Sequence, residues 1–205
     1  METPDILATV LLTLPAVPIN STYHRSVANA SLYQGRRRPK YLYALGPGRE
    51  GARFTPKGGP PCLYVSAEPV TTLSEATGIA SALVLAGLAI PQPMSSFSMT
   101  VYLHRGLLDL TDTEVLAKLG TDLTELDGPW EQQVINGDPV PTQILATAAY
   151  ASKRFQVIRF YSHEDPGKVN IVIWTEMVKS PSAVVVIDGT STINERIPRI
   201  HKKRV

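Results

Sequence analysis

A single cysteine, Cys62, stands in this chain of 205 residues. One thiol excludes an intramolecular disulfide framework and any all-cysteine metal cluster, and it points to a reducing compartment, the cytoplasm. Net charge is also scarce: 20 basic against 18 acidic residues leave a formal +2. That balance provides no field to gather a polyanion, which argues against direct nucleic-acid binding. Long apolar runs are missing too. The longest helical candidate, residues 79–90, is twelve residues of apolar sequence, where a span needs about 20, so it reads as a buried helix and not a membrane anchor. Residues 6–17 are apolar, but Met1, Glu2, Thr3, Pro4 and Asp5 before them lack the positive start of a secretory signal. Without secretion the triplets Asn20-Ser21-Thr22 and Asn29-Ala30-Ser31 carry no meaning as glycosylation sites.

Several catalytic signatures are absent as well. There is no phosphate-cradling GxxxxGK[ST], no GxSxG and no HExxH. The four histidines, His24, His104, His163 and His201, are scattered, so metal-ligand spacing is lacking. Gly46-Pro47-Gly48-Arg49-Glu50-Gly51 matches the GxGxxG spacing after a strand-like stretch at 41–45. A dinucleotide fingerprint must open a helix, which the following Phe54-Thr55-Pro56-Lys57-Gly58-Gly59-Pro60-Pro61 cannot form, so the match reads as a turn. Cys62 lies in an apolar strand and reads as packed, not nucleophilic.

What is present describes one domain over residues 1–205, long enough to bury about 70% of its unfolded surface. Residues 21–60 predict short strands joined by ordered loops. Residues 62–66 predict a strand ended by Pro69, and residues 70–90 a helix, with Leu73, Ala76, Ile79, Ala80 and Leu83 at three- and four-residue spacing. A strand at 98–103 leads to Thr111-Asp112-Thr113-Glu114, which has the form of a capping box with Thr111 as the cap. Pro141 suits the first turn of a helix over 144–152. Strand-like runs follow at 155–161, 169–174 and 183–187. Strands interspersed with a few helices predict a single mixed α+β domain. Arg36-Arg37-Arg38-Pro39-Lys40 is a solvated loop, or else a patch for phosphate steering or for an acidic partner. The tail His201-Lys202-Lys203-Arg204 reads as a disordered end.

Several pieces in order carry a family pattern. Tyr23-His24-Arg25 is followed by the loop Gly51-Ala52-Arg53-Phe54-Thr55-Pro56-Lys57-Gly58, the strand Leu63-Tyr64-Val65-Ser66 and then Glu75. Further on come Leu108-Asp109-Leu110-Thr111-Asp112, Trp130 with Pro141-Thr142-Gln143, and Phe160-Tyr161-Ser162 before Asn170-Ile171-Val172-Ile173-Trp174. Over about residues 22–188 this resembles the RES domain, the toxin half of many bacterial RES–Xre toxin–antitoxin pairs. Ala52 replaces a usual Gly, Phe54 a usual Trp and Tyr161 a usual Pro. His163-Glu164 stands where Ala-Arg is common.

The resemblance implies a fold like that of the ADP-ribosyltransferase toxins and an enzyme that consumes NAD, with no metal. It would break the nicotinamide–ribose bond with water or inorganic phosphate as acceptor; the alternatives are a mono-ADP-ribosyltransferase or an inactive domain that only binds a partner. Guanidinium forks bind a pyrophosphate bidentately, which suits Arg25 and Arg53. An oxocarbenium-like sugar needs a nearby carboxylate, and Glu75 is the acidic residue early in the helix after the Tyr64 strand. Tyr64 suits stacking on nicotinamide, its hydroxyl on a ribose or amide oxygen, and Ser162 a hydrogen bond to the amide or phosphate. Catalysis thus falls to Glu75, Arg53 and Tyr64, and NAD binding to Arg25, Arg53, Tyr64 and Ser162. Each has a plainer reading: a loop-bracing arginine, a carboxylate at a helix dipole, a core tyrosine, a turn serine. The implied partner is an Xre-type antitoxin or an immunity protein that blocks the site, with homo-oligomers inside an antitoxin complex.

Overall fold

The computed structural model describes residues 1–33, 39–87, 92–190 and 192–199. In chain order it holds α1 (Pro4–Thr13), β1 (Val17–Ala28), α2 (Asn29–Tyr33), α3 (Gly46–Glu50), β2 (Cys62–Ser66), α4 (Pro69–Leu85), β3 (Met94–Asp109), α5 (Thr113–Lys118), α6 (Leu123–Leu126), α7 (Trp130–Asn136), α8 (Pro141–Ala151), β4 (Val157–Tyr161), β5 (Val169–Trp174), β6 (Ala183–Ile187) and β7 (Asn194–Ile197). The strands pair in the order β1-β2-β5-β4-β3-β6-β7, and β1 also returns to β3. Five of them therefore close into a ring, with β6 and β7 as an extension. β3 and β4 run parallel, and the other pairs are antiparallel.

Both faces of the central strands are covered, which is why β5 reads as an almost unbroken apolar run. Leu63 and Val65 of β2, Val157 of β4 and Ile171 and Ile173 of β5 face an inner cluster with Met99, Val101 and Leu103. Cys62, Ile158, Phe160, Val172 and Trp174 alternate onto the opposite face, where Leu7, Leu11, Leu116 and Leu145 of the helices cover them. By the same alternation Asn170 falls on the face of Val172 and Trp174, beside Ser66 of β2 and Phe160 of β4. The result is the expected single mixed α+β domain.

Local departures have physical causes. The apolar run at 6–17 supplies most of α1, whose Leu7 and Leu11, four apart, are fully buried, and reaches the first residue of β1. Residues 21–28 belong to one twelve-residue strand instead of several short ones. The stretch at 41–45 is not a strand, because its amides find a side chain: Tyr41 N and Leu42 N donate to the Glu195 carboxylate of β7 at 3.2 and 3.0 Å. Pro47 opens the five-residue α3 where a turn was expected. α5 is capped by Asp112, whose Oδ1 accepts from Glu114 N at 2.8 Å. Thr111 cannot cap it, because its amide and hydroxyl both donate to Asp109 Oδ1. α4 ends at Leu85, which is 89% exposed, so the expected buried helix fails there. Thr71 and Thr72 are buried on α4 while Leu73 is exposed. Residues 88–90, the arginines 36–38 and the tail 201–204 lie outside the described residues.

Candidate active site

The loop carrying Arg53 is pinned from three sides. Ala52 and Thr55 exchange backbone hydrogen bonds at 2.8 and 2.9 Å, closing a tight turn after Gly51, whose φ of 91° suits glycine. From α8, Thr142 Oγ1 donates to Arg53 O at 2.5 Å and Gln143 Nε2 to Ala52 O at 3.0 Å. From β2, the Tyr64 hydroxyl accepts from Phe54 N at 3.0 Å and pairs with Thr55 Oγ1 at 2.9 Å. The Arg53 guanidinium then reaches across to Leu126 O (2.7 Å from Nη2), Tyr161 O (3.2 Å) and Asp127 Oδ1 (3.1 Å). It also lies over the Phe54 and Phe160 rings at 5.6 and 5.5 Å. Burial lowers its pKa, opposed by Asp127 and Glu75.

Glu75 projects from the second turn of α4. Its Oε1 accepts from Ser162 Oγ at 2.5 Å and from Asn170 Nδ2 at 2.6 Å. Ser162 Oγ accepts in turn from Asp165 N at 2.9 Å, so its one proton goes to Glu75. Asn170 is 4% exposed, and its Oδ1 is buried without a protein partner. These donors fix one carboxylate oxygen of an otherwise exposed side chain.

Arg25 enters from β1. Its Nη1 donates to Tyr41 O and Tyr43 O, both at 3.0 Å, the backbone of the segment that Glu195 holds by its amides. Burial lowers the guanidinium pKa to about 10. Arg25, Lys40, Arg49 and Glu50 line a cleft of about 870 Å³. A second cavity of about 350 Å³ adjoins it, lined by Arg53, Tyr64, Glu75, Glu131, His163 and Glu164 among others. The two share Ser26, Ala52, Glu75 and Ala76 along their boundary. Cations thus gather in one half and carboxylates in the other, with Glu75 at the junction. On the acidic side, His163 Nδ1 lies 3.0 Å from Asp127 Oδ1, the oxygen that also meets Arg53.

Arg25, Arg53, Tyr64 and Glu75 therefore all line the paired cavities. Two of the hydroxyls expected on the ligand have partners within the protein. The Tyr64 hydroxyl, expected on a ribose or amide oxygen, is bonded to Phe54 N and Thr55 instead, and burial pushes its pKa up. Ser162, expected on the ligand amide or phosphate, is 4% exposed and stands behind Glu75. Asn170, Asp127 and His163 had not been singled out as site residues. Asn170 sat in a run that reads as core, and His163 stood out only as a departure from the family pattern. Burial raises the Cys62 thiol pKa to about 11, in keeping with a packed cysteine.

The cleft thus sits on a closed ring of strands in a mixed α+β domain, with the helix-borne Glu75 at its waist. The RES domain model matches residues 27–196, and the chain belongs to the RES domain family. Among solved structures it is similar to a chain of the crystal structure of the M. tuberculosis MbcT–MbcA toxin–antitoxin complex. The TM-score is 0.59 at 17% identity, over 94% of this chain and 91% of that one, a likeness of fold. A search of curated proteins finds no match.

Proposed function

We propose that this chain is the toxin of a toxin–antitoxin pair and acts by breaking the nicotinamide–ribose bond of NAD. One observation carries the reading: Glu75 stands where a basic cleft meets an acidic cavity. NAD has the matching polarity, an anionic pyrophosphate and a cationic pyridinium joined through a ribose. Arg25, with Lys40 and Arg49 beside it, would take the pyrophosphate, and the acidic half the nicotinamide ring. The bond to be broken then lies at Glu75. Its Oε2 is free to face the positive charge that develops on the sugar while Oε1 is held by Ser162 and Asn170. Tyr64 and Arg53 shape the wall, Tyr64 by fixing the loop and Arg53 by tying it to Leu126 and Tyr161.

The family and the fold likeness to a toxin–antitoxin complex support an antitoxin as partner, one that silences the enzyme by covering this cleft. Among the described residues no helix is long and apolar enough to cross a membrane, and depletion of cellular NAD would call for action in the cytoplasm. The test is consumption of NAD by the purified chain, with products separated chromatographically. Free nicotinamide is the expected product, and Glu75→Gln is expected to abolish it with an unchanged circular dichroism spectrum. Turnover that persists in that variant rejects Glu75, and label passing from NAD to a protein identifies a transferase instead.

A further inference from the structure

We infer that Glu195 of β7, on the strand extension outside the ring, is a positioning residue for substrate affinity: it sets the backbone on which Arg25 rests. The inference builds on the NAD reading above. Ile193, Glu195 and Ile197 alternate along β7 and the residue before it, all half-buried, while Asn194 and Arg196 between them are exposed. Both isoleucines pack, with Tyr41, Leu42 and Phe97, against the inner cluster of the sheet. A carboxylate between them on that face needs donors within the protein. Two successive amides supply them: Tyr41 N donates to Oε1 at 3.2 Å and Leu42 N to Oε2 at 3.0 Å.

The segment so held is a strap whose ends are fixed by other elements. Lys40 N donates to Leu32 O of α2 at 2.9 Å, and Cys62 N of β2 to Ala44 O at 2.9 Å. Between those ends Tyr41 O and Tyr43 O both accept from Arg25 Nη1 at 3.0 Å. Tyr41 therefore meets Glu195 through its amide and Arg25 through its carbonyl, so a shift at one is felt at the other. The sheet closes the circuit: Arg25 of β1 lies opposite Phe97 of β3, whose ring meets the Tyr41 ring edge-on at 5.0 Å. Lys40 and Tyr43 of the strap line the 870 Å³ cleft together with Arg25, whereas Glu195 is no part of that lining and acts through the strap. Arg25 would hold the pyrophosphate, which does not react. Its displacement weakens bound substrate and transition state alike, which raises KM and spares kcat.

The experiment compares the full chain as wild type, Glu195→Ala, Glu195→Gln, Arg25→Ala and the double variant Arg25→Ala/Glu195→Ala. It reads NAD kinetics and, separately, the Kd of ADP-ribose by titration calorimetry. Glu195→Ala is expected to raise both KM for NAD and the Kd of ADP-ribose about 10-fold with kcat within about twofold, and Glu195→Gln, which keeps one acceptor, about threefold. In the Arg25→Ala background the Glu195→Ala change should lower kcat/KM by less than about twofold, because the two residues act as one unit. A full 10-fold effect in that background, an unchanged KM and Kd in both Glu195 variants, or a kcat that falls at unchanged KM overturns the inference and leaves NAD cleavage standing. ADP-ribose affinity that follows the expected pattern in a chain that consumes no NAD overturns the cleavage reading alone. A wild type that neither binds ADP-ribose nor consumes NAD overturns both.

Discussion

Ser162 Oγ lies 2.5 Å from Glu75 Oε1, although 87 positions separate the two residues. Asn170 donates to the same oxygen from the neighbouring strand. The glutamate is thus aimed by Asn170 of β5 and by Ser162 just past the end of β4, and its own helix only delivers it.

That arrangement makes Ser162 a positioning residue. Ser162→Ala is expected to lower kcat by about 10- to 100-fold through misplacement of the carboxylate, with KM for NAD little changed. Ser162→Thr, which keeps the hydroxyl, should recover part of the loss. Steady-state kinetics on the three proteins checks both, and a rise in KM equal to the fall in kcat would return Ser162 to the ligand-binding role.

Arg25 should report ligand binding through stability. Because burial lowers its pKa to about 10, below its unfolded value, the unfolded chain binds its proton more tightly. The charge therefore costs stability at neutral pH, a cost relieved only as pH rises beyond about 10. An anion seated against it offsets that cost. ADP-ribose at about 100 times its Kd is expected to contribute about 2.7 kcal/mol, a rise of roughly 5–10 °C in Tm. Arg25→Ala should abolish the rise, which differential scanning fluorimetry measures directly.

Tyr64→Phe removes the acceptor that Phe54 N–H now has and the partner of Thr55. A buried donor left without a partner costs about 1–3 kcal/mol. Urea denaturation should show a lower midpoint at unchanged slope, and the looser Arg53 loop should raise KM for NAD.

Asp109 and Arg159 form a half-buried ion pair at the parallel junction of β3 and β4. Burial raises the Asp109 pKa, but the hydrogen bonds from Arg159 and Thr111 outweigh it and hold the carboxyl below its ordinary value. A depressed carboxylate contributes stability that is full above its unfolded pKa of about 3.9 and lost as pH falls through the lower folded value. Asp109→Asn is expected to cost about 3 kcal/mol at pH 7 and to flatten the acid limb of the stability–pH curve, as chemical denaturation at several pH values would show.

Much of the scaffold was legible because local chemistry decided it. Pro69 marked the end of the β2 run and Pro141 a helix start, and the apolar runs at β2, β5 and β6 marked strands. What escaped depended on partners distant in sequence. The amides of Tyr41 and Leu42 look like strand donors until Glu195 arrives, and Thr111 looks like a cap until Asp109 takes its hydroxyl. Within the site, the residue types came from the family pattern and their orientations from the sheet. The Tyr64 hydroxyl and the Ser162 hydroxyl both turn inward to brace a neighbour, which no spacing in the sequence encodes.

The ring of strands also sets a timetable. β5 is inserted between β2 and β4, both of which the ribosome delivers earlier, and β5 brings Asn170 to Glu75. Contacts so far apart along the chain form slowly, because loop closure must come before them. Glu75 therefore lacks the second of its two donors for the whole of synthesis up to residue 170 and the first stage of folding. If this chain is the toxin proposed above, that interval is the time an antitoxin would have to reach it before the site is complete.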